Sequence, residues 1–285
     1  MEQSYDIRKL QLMQLEILKE VQRVCKLHGF NFYIMNGTCL GAVRHHGAIP
    51  WDDDIDIGMY AETFDKFIRC QKDFGSKYFV QTIQTDPEFR TMIARVRLAD
   101  TTIIEKEFED CDINHGVFID IYPLFGYPSN PVLAQIRSWE SLMYRLLLLD
   151  GPPKNHGKAA TIAGTVLHKL IPLKVKKKII RKIHRRLRSE PKNSRYVAFL
   201  YGMDVNLFHT IKYERSWFGK PSALKYESLV MPGPTDWDSY LKIRYNDYMK
   251  LPPKEKQSSY HSFEFVDLEH SYLDYKGIKY LKNKK

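Results

Sequence analysis

The spacing of hydrophobic residues along this chain changes repeatedly between a helical period and strict alternation. Over residues 5–28 apolar side chains recur every three or four positions, and Gly29 stands where a C-terminal cap belongs, so this segment is predicted to be an amphipathic helix. Similar periods predict helices at 61–74 and 132–149. Alternating or continuous apolar runs predict strands at 30–35, 78–82, 91–98 and 117–122. This order of elements favours an α+β fold in which helices flank a β-sheet.

Four acids lie close together within residues 49–57, Ile-Pro-Trp-Asp-Asp-Asp-Ile-Asp-Ile. If this segment is a strand, Ile55 and Ile57 point into the core, and Asp53 lies on their side. The acids that then share the opposite face are Asp52, Asp54 and Asp56. Neighbours on one face of a strand are about 6.6 Å apart, so carboxylates there can converge on a divalent cation, and all-oxygen ligands favour Mg²⁺ or Mn²⁺. The alternative is a solvated acidic turn, which the alternating isoleucines disfavour.

A further acid, Asp120, interrupts the apolar alternation of residues 117–122. Burying a carboxylate in such a strand is costly unless it is paired or binds a metal. An adjacent strand lies about 4.8 Å away, so Asp120 is predicted to be the third carboxylate beside Asp54 and Asp56. The alternative is a buried acid with a structural partner. His115, just before this strand, is a candidate substrate contact, although a single histidine is more often structural.

Glycines and arginines nearby suggest that the ligand carries phosphate. Gly37 and Thr38 follow the first predicted strand, and Gly41 comes three residues later; glycine lets the backbone approach a phosphate, and the first N–H groups of a helix can bind it. Arg95 and Arg97 share one face of the strand 91–98. They are predicted either to bind a pyrophosphate, which suits the planar guanidinium, or to form solvent-exposed salt bridges.

The segments 37–44 and 49–57 together resemble the signature of the LicD family, and the resemblance continues at 117–124 and 240–253. Members of that family transfer phosphocholine to bacterial surface polysaccharides. The resemblance implies a nucleotidyltransferase-like mixed β-sheet flanked by helices, with a helical insertion and an aromatic-rich C-terminal part. The catalytic and metal-binding residues that follow from it are Asp54, Asp56 and Asp120. The implied substrate contacts include Gly37, Thr38, Gly41, Arg44 and Asp52.

The activity implied by this resemblance is transfer of phosphocholine from CDP-choline to a sugar hydroxyl of a lipid-linked surface glycan, of teichoic acid or lipopolysaccharide type, with release of CMP. Three alternatives stay open. The donor could be CDP-ribitol or CDP-glycerol, or the reaction could be nucleotidyl transfer from an NTP. The chain could also be a catalytically dead module that binds membrane or RNA, which the intact acids disfavour.

Length and composition predict one large globular domain with an insertion. The 285 residues are 44% hydrophobic and 13% aromatic, which excludes a disordered chain. The predicted parts are a catalytic core at 1–130, a basic helical insertion at 131–195, and a C-terminal part at 196–285 packed on the core. The four cysteines form no Cys-x-x-Cys pair, and neither a signal peptide nor an 18-residue apolar run is found. A cytoplasmic protein with reduced thiols is therefore expected.

The net charge of +10 is concentrated in one segment. Residues 158–188 contain eleven Lys or Arg and no acid, so the remaining chain carries 10 − 11 = −1. A helical pair at about 160–188 is expected, its second helix starting near Pro172. Such a basic amphipathic helix suits the anionic inner face of a membrane, or is simply a solvated face. It lacks the aromatics that stack on bases, so no nucleic acid is expected.

Three expectations concern the aromatic-rich last third of the chain. Trp217 lies in a polar context and is a candidate for contacting a quaternary ammonium, although packing is its more frequent role. The LicD family pattern usually has Gly where this chain has Asn246, and because Asn is the next best residue at a positive φ angle, the resemblance implies the same turn here. Residues 276–285 are expected to form a frayed tail.

Overall fold

The computed structural model describes residues 5–149, 171–189, 193–200, 204–259 and 261–282. Within these ranges the chain forms an α+β fold with six α-helices and eleven β-strands. The helices are α1 (Ile7–His28), α2 (Asn36–Arg44), α3 (Ala61–Phe67), α4 (Pro131–Leu148), α5 (Leu173–Leu187) and α6 (Trp237–Tyr245). The strands are β1 (Tyr33–Ile34), β2 (Asp56–Tyr60), β3 (Tyr78–Gln81), β4 (Ala94–Leu98), β5 (Thr102–Glu105), β6 (Val117–Tyr127), β7 (Tyr196–Phe199), β8 (Tyr213–Glu214), β9 (Ser222–Tyr226), β10 (Leu229–Gly233) and β11 (Phe263–Asp267).

The chain divides into two units. The first comprises residues 1–89, 93–122 and 217–285, and the second comprises 90–92 and 123–216. The predicted insertion, 131–195, lies inside the second unit.

The first unit is built on a sheet with strand order β1-β2-β6-β4-β3, to which β6 contributes its first half. Strand β4 pairs antiparallel with β6, so that Arg95 stands opposite Asp120. Two antiparallel pairs, β9 with β10 and β5 with β11, complete this unit. The central position of β2 and β6 explains why their apolar residues, such as Ile57 and Ile119, are fully buried.

Helix α1 confirms the prediction from hydrophobic spacing. The Asp6 side chain accepts a hydrogen bond from the Lys9 N–H at its start, and Gly29 ends it with φ of 66°. Its apolar stripe, which includes Leu18 and Val21, is fully buried. Two polar residues, Gln11 and Gln14, also lie on the buried face, where they bind backbone carbonyls of the acid-rich segment.

The second unit holds the basic helix. In this unit the second half of β6 pairs with β7, and β7 pairs with β8. Helix α5 packs on α4 through Ile183 and Leu187, which are 7% and 1% exposed, while Ile179 and Ile180 are half-buried. The apolar stripe predicted for this helix is thereby confirmed. The first helix of the predicted pair, residues 160–170, lies outside the described residues.

The remaining sequence predictions have mixed outcomes. Asn246 has φ of 55°, as predicted. The predicted strand 30–35 is shorter, and the helix predicted at 61–74 ends at Phe67. The prediction of a frayed tail is wrong as far as residue 282, because Tyr280 and Leu281 are 1% and 8% exposed and pack on Ile104. Among the described residues no helix combines the length and the hydropathy that a membrane span requires.

Candidate active site

The acid-rich segment is a loop followed by a strand, which corrects the predicted register. Strand β2 begins only at Asp56, and residues 52–55 lie outside any strand. Because these residues are not in a strand, side-chain alternation does not place Asp53 on the opposite face from Asp52 and Asp54. Oxygen atoms of Asp52, Asp53 and Asp54 all lie within 4.8 Å of one another. Asp53 is also fully buried, so it belongs to the same acid cluster.

The loop keeps this shape because helix α1 binds its backbone. The Gln11 side-chain amide donates to the carbonyls of Ile49 and Asp52 at 3.0 and 2.9 Å. The Gln14 amide donates to the carbonyl of Asp53 at 2.8 Å. These carbonyls would accept from a neighbouring strand if the segment were part of the sheet. The two buried glutamines replace that strand, which explains their inward position in α1.

Asp56 is aligned by the start of helix α2. Its backbone N–H donates to the Thr38 hydroxyl at 2.8 Å, and its carbonyl accepts from the Met35 N–H at 2.9 Å. One carboxylate oxygen, Oδ2, accepts from the Asn36 amide at 2.9 Å. The other, Oδ1, is buried and has no hydrogen-bond partner in the protein. A buried carboxylate oxygen without a donor is rare, and it is an available ligand atom.

The electrostatics of the cluster favour a bound cation. Burial and the neighbouring charges of Asp56 and Asp53 raise the pKa of Asp52 to about 7. Burial and the charges of Asp52, Asp53 and Asp120 raise the pKa of Asp54 well above its ordinary range. The pKa of Asp56 is raised in the same way, by burial and by the charges of Asp54 and Asp120. The carboxylates of Asp54, Asp56 and Asp120 are therefore close enough to repel one another, and a divalent cation would relieve this repulsion.

The residues present thus fit a hard divalent cation. The donor set is all carboxylate oxygen, which Mg²⁺ and Mn²⁺ prefer, and Asp56 Oδ1 is unsatisfied. Asp54, Asp56 and Asp120, which the sequence predicts as ligands, are brought together; their role as ligands stays a prediction.

A histidine from the C-terminal segment also reaches the cluster. The His261 Nδ1 lies 2.9 Å from Asp53 Oδ1 and 4.0 Å from Asp54 Oδ2. Burial lowers the pKa of His261, but the hydrogen bond to Asp53 and the charges of Asp54 and Asp53 outweigh it and raise the pKa to about 10. His261 therefore supplies a fixed positive charge to one side of the cluster. Sequence reasoning missed it, because Asp53 and His261 are 208 residues apart.

Asp120 is fixed by a buried ion-pair network. Arg95 Nε donates to Asp120 Oδ1 at 2.7 Å, and its two terminal nitrogens bind both oxygens of Glu105. The guanidinium also stacks on the ring of Phe118, 3.7 Å from its centroid. These charges lower the pKa of Glu105 to about 2 despite its burial. One oxygen of Asp120, Oδ1, is thus held by Arg95.

The interpretations of the two arginines are wrong. Arg95 and Arg97 are 4% and 0% exposed, so neither forms a solvent-exposed salt bridge. Arg97 donates to Gln81 Oε1 and to the Gly116 carbonyl, both at 2.6 Å. Burial and the charge of Arg95 lower the pKa of Arg97 to about 9. Both guanidinium groups are buried and bind groups of the protein, so neither is placed to bind a pyrophosphate from solvent.

His115 lies in the core and has no surface to offer a substrate. It is 0% exposed, its Nε2 lies 3.2 Å from the Cys111 carbonyl, and its ring centroid lies 4.4 Å from that of Tyr280. Burial and Arg97 lower its pKa to about 4. The prediction of a substrate contact is therefore wrong, and the packing alternative is correct.

The two glycines of α2 are required by close packing. A side chain at Gly37 would collide with the carboxylate of Asp52, and one at Gly41 with the carbonyl of Gly47. Gly37 therefore sets the position of an acid. Thr38 is 1% exposed, with its hydroxyl accepting from Asp56. Of the substrate contacts predicted in this helix, Gly37 and Arg44 line an open cleft of about 320 Å³, which also includes Asp52.

Trp217 lies apart from that cleft's lining. It is half-buried in a 3₁₀ turn, Arg215–Phe218, and its carbonyl accepts from the Thr235 N–H at 2.7 Å. Both sequence-based interpretations of the Trp217 side chain, a packing role and a contact with a quaternary ammonium, stay predictions.

Comparisons with known proteins point to one family. Residues 29–135, which carry α2, the acid cluster and Asp120, match the family described as LicD/FKTN/FKRP, nucleotidyltransferase domain. The chain is 24% identical over 258 residues to the lipopolysaccharide cholinephosphotransferase LicD of Haemophilus influenzae, which covers 90% of this chain and 96% of that protein. It is 40% identical over 52 residues to the human ribitol 5-phosphate transferase FKRP, which covers 17% of this chain and 10% of that protein. Residues 29–135 of this chain therefore match the LicD family model, and the similarity to LicD itself extends along most of the chain.

Proposed function

We propose that this protein is a metal-dependent phosphotransferase that moves phosphocholine from CDP-choline to a sugar hydroxyl of a cell-surface glycan and releases CMP. The choice of phosphocholine rests on the similarity to LicD along nearly the whole chain. The similarity to FKRP is confined to 52 residues. A polyol phosphate donor, CDP-ribitol or CDP-glycerol, is therefore the second candidate.

The observation that carries the phosphotransferase assignment is the cluster of mutually repelling carboxylates around Asp56 Oδ1. Such a cluster destabilises the fold unless a cation binds to it. Buried acids that hold a divalent cation beside an open cleft are suited to chemistry on a diphosphate.

The residues have separate roles in the proposed mechanism. Asp54, Asp56 and the Oδ2 atom of Asp120 would hold Mg²⁺ or Mn²⁺, which when bound neutralises the diphosphate and polarises it. Arg95 keeps Asp120 in place through its other oxygen. His261 binds Asp53 at 2.9 Å and places a positive charge 4.0 Å from Asp54. Thr38 and Asn36 align Asp56.

The transfer itself is written as an in-line displacement. The sugar hydroxyl oxygen attacks the phosphorus that carries choline, the new P–O bond forms, and the bond to the CMP oxygen breaks. The hydroxyl proton passes to a carboxylate of the cluster, for which Asp120 is our candidate. CMP leaves with the electron pair of the broken bond.

We further propose that the protein works at the anionic inner face of a membrane, where a lipid-linked acceptor would be found. Helix α5 supports this, because six cations share its outward face and all six are exposed. This basic face consists of Lys174, Lys177, Lys178, Arg181, Lys182 and Arg185. The helix contains no acid. Leu173 and Val175 are also exposed, at 63% and 46%, and apolar side chains beside cations suit a lipid surface.

The experiment that tests the proposed function is a CMP-release assay with CDP-choline, CDP-ribitol and CDP-glycerol in parallel, with Mg²⁺ and a surface-glycan acceptor. Faster release from CDP-choline than from both polyol donors supports the proposal. Preference for a polyol donor would transfer the assignment to the second candidate. Pyrophosphate release from an NTP, without CMP release from any CDP-alcohol, would contradict both.

A further inference from the structure

The cleft beside the acid cluster has an unusual lining. It lies between helix α2 and the segment that follows α6, and its volume is about 320 Å³. Its aromatic lining residues are Trp51, Tyr245 and Tyr248. Its cationic residues are Arg44 and Lys250, and its acidic residues are Asp52 and Asp247. The other lining residues are Gly37, Leu40, Ile49 and Pro252, so within the described residues no Ser, Thr, Asn or Gln side chain lines it.

The cleft is continuous with the acid cluster at one end. Asp52 belongs to both, and Gly37 lies against the carboxylate of Asp52. Tyr245 lines the same cleft as Asp52. A ligand whose phosphate reached the acid cluster would therefore extend along Tyr245.

The cationic side of the cleft suits an anion. Arg44 is half-buried, and its Nη1 donates to the Tyr248 carbonyl at 2.8 Å. This bond and a long contact of 3.4 Å from Nε to His45 use only part of its five N–H donors. Burial lowers the pKa of Arg44, and the charges of Tyr245 and Asp52 only partly offset this, so a further anion would be favourable. Lys250 adds a second, exposed cation.

The aromatic side suits a group that cannot donate hydrogen bonds. Trp51 is half-buried and fixed edge-on to the ring of His45, with 6.1 Å between centroids. The hydroxyl of Tyr248 is satisfied by Asp238 at 2.6 Å. A quaternary ammonium is bound by aromatic faces together with a nearby acid, whereas a polyol needs hydrogen-bonding partners for each hydroxyl. The lining offers both of these elements, aromatic rings in Trp51 and Tyr245 and an acid in Asp247, and this combination favours the ammonium.

We propose that this cleft binds the phosphocholine end of the donor, with Trp51 and Tyr245 against the trimethylammonium group and Arg44 near the phosphate. The inference rests on the proposed function, and it replaces Trp217 as the expected choline contact. Choline specificity would then come from two segments that are far apart in sequence, the acid-rich loop and the end of α6.

The direct test is isothermal titration of phosphocholine and of glycerol 3-phosphate, with Mn²⁺ present. Each aromatic face should contribute about 2- to 30-fold in affinity. Trp51→Leu should therefore weaken phosphocholine binding by that factor and leave glycerol 3-phosphate binding unchanged. Tyr245→Phe, which keeps the ring, should retain the preference for phosphocholine. Trp217→Leu should leave the ratio of the two affinities as in the wild type.

Several results would overturn the inference. The inference fails if the wild-type protein does not bind phosphocholine. It also fails if Trp51→Leu weakens the binding of both ligands equally, or if Trp217→Leu changes the ratio of the two affinities. These outcomes are separate from failure of the proposed function. If phosphocholine binds with the predicted selectivity but CDP-choline yields no CMP, the cleft assignment stands and the transferase assignment fails.

Discussion

Replacing Asp52 by Asn should stabilise the metal-free protein at neutral pH. The pKa of this carboxyl rises from 3.8 to about 7, and each pKa unit corresponds to about 1.4 kcal/mol. The unfavourable free energy at pH 7 is therefore about 4 kcal/mol. Asn keeps the shape of the side chain but carries no charge, so the variant gains most of this free energy. Its hydrogen bond to Asp54 is weaker than that of Asp52, which reduces the gain in stability by about 1 kcal/mol.

The pH dependence follows from the direction of the shift. The folded protein holds the Asp52 proton more tightly than the unfolded chain does, so stability falls as the pH rises from about 4 to about 7. The gain from Asp52→Asn should be absent at pH 4 and complete above pH 7. With about 2–4 °C per kcal/mol for a domain of this size, the Tm at pH 7.5 in EDTA should rise by roughly 5–12 °C.

Differential scanning calorimetry at pH 4, 5.5 and 7.5, each in EDTA, measures this effect. Asp267→Asn is the matched control, since hydrogen bonds from Tyr275 and from the Glu269 backbone lower the pKa of Asp267 even though burial opposes them. That variant should lose stability at pH 7.5. An unchanged or lower Tm for Asp52→Asn in EDTA would refute the claim that the acids repel one another.

Three further predictions concern other parts of the chain. Arg95→Leu should lower the free energy of unfolding by about 3–5 kcal/mol, because Asp120 and Glu105 lose their buried partner; a loss below 1 kcal/mol in urea unfolding would contradict the network. Changing the six cations of the basic face to Gln should release the protein from anionic liposomes in flotation, with turnover on a soluble acceptor unchanged; equal flotation would leave the face a solvated surface. Asn246→Gly should raise the Tm and Asn246→Val should lower it, because φ is 55° there; the reverse order would argue against that backbone conformation.

The sequence predicted those features that depend on local spacing. Helix α1 and the inward stripe of α5 each follow from residues within a few turns of one another, and the structure confirms both. The positive φ at Asn246, which the family resemblance implied, is also confirmed. The nearness of Asp120 to Asp56 was also predictable, because each was placed on one of two adjacent strands, whereas Asp54 lies in a loop that was predicted to be strand.

The features that the sequence did not predict depend on distant partners. The loop at 52–55 is not a strand because Gln11 and Gln14 bind its carbonyls, and two inward glutamines in an amphipathic helix gave the only local signal. The burial of Arg95 required Glu105 from β5. His261 is brought to Asp53 by the pairing of β11 with β5, which no short-range pattern reports.

The central claim is that the acid cluster binds a catalytic divalent cation, and Mn²⁺ titration followed by electron paramagnetic resonance tests it most directly. Wild-type protein should bind Mn²⁺, and Asp54→Asn, Asp56→Asn and Asp120→Asn should each lose binding together with CMP release, whereas Asp267→Asn should keep both. Wild-type protein that binds no Mn²⁺, or that releases CMP at full rate in EDTA, would contradict the account.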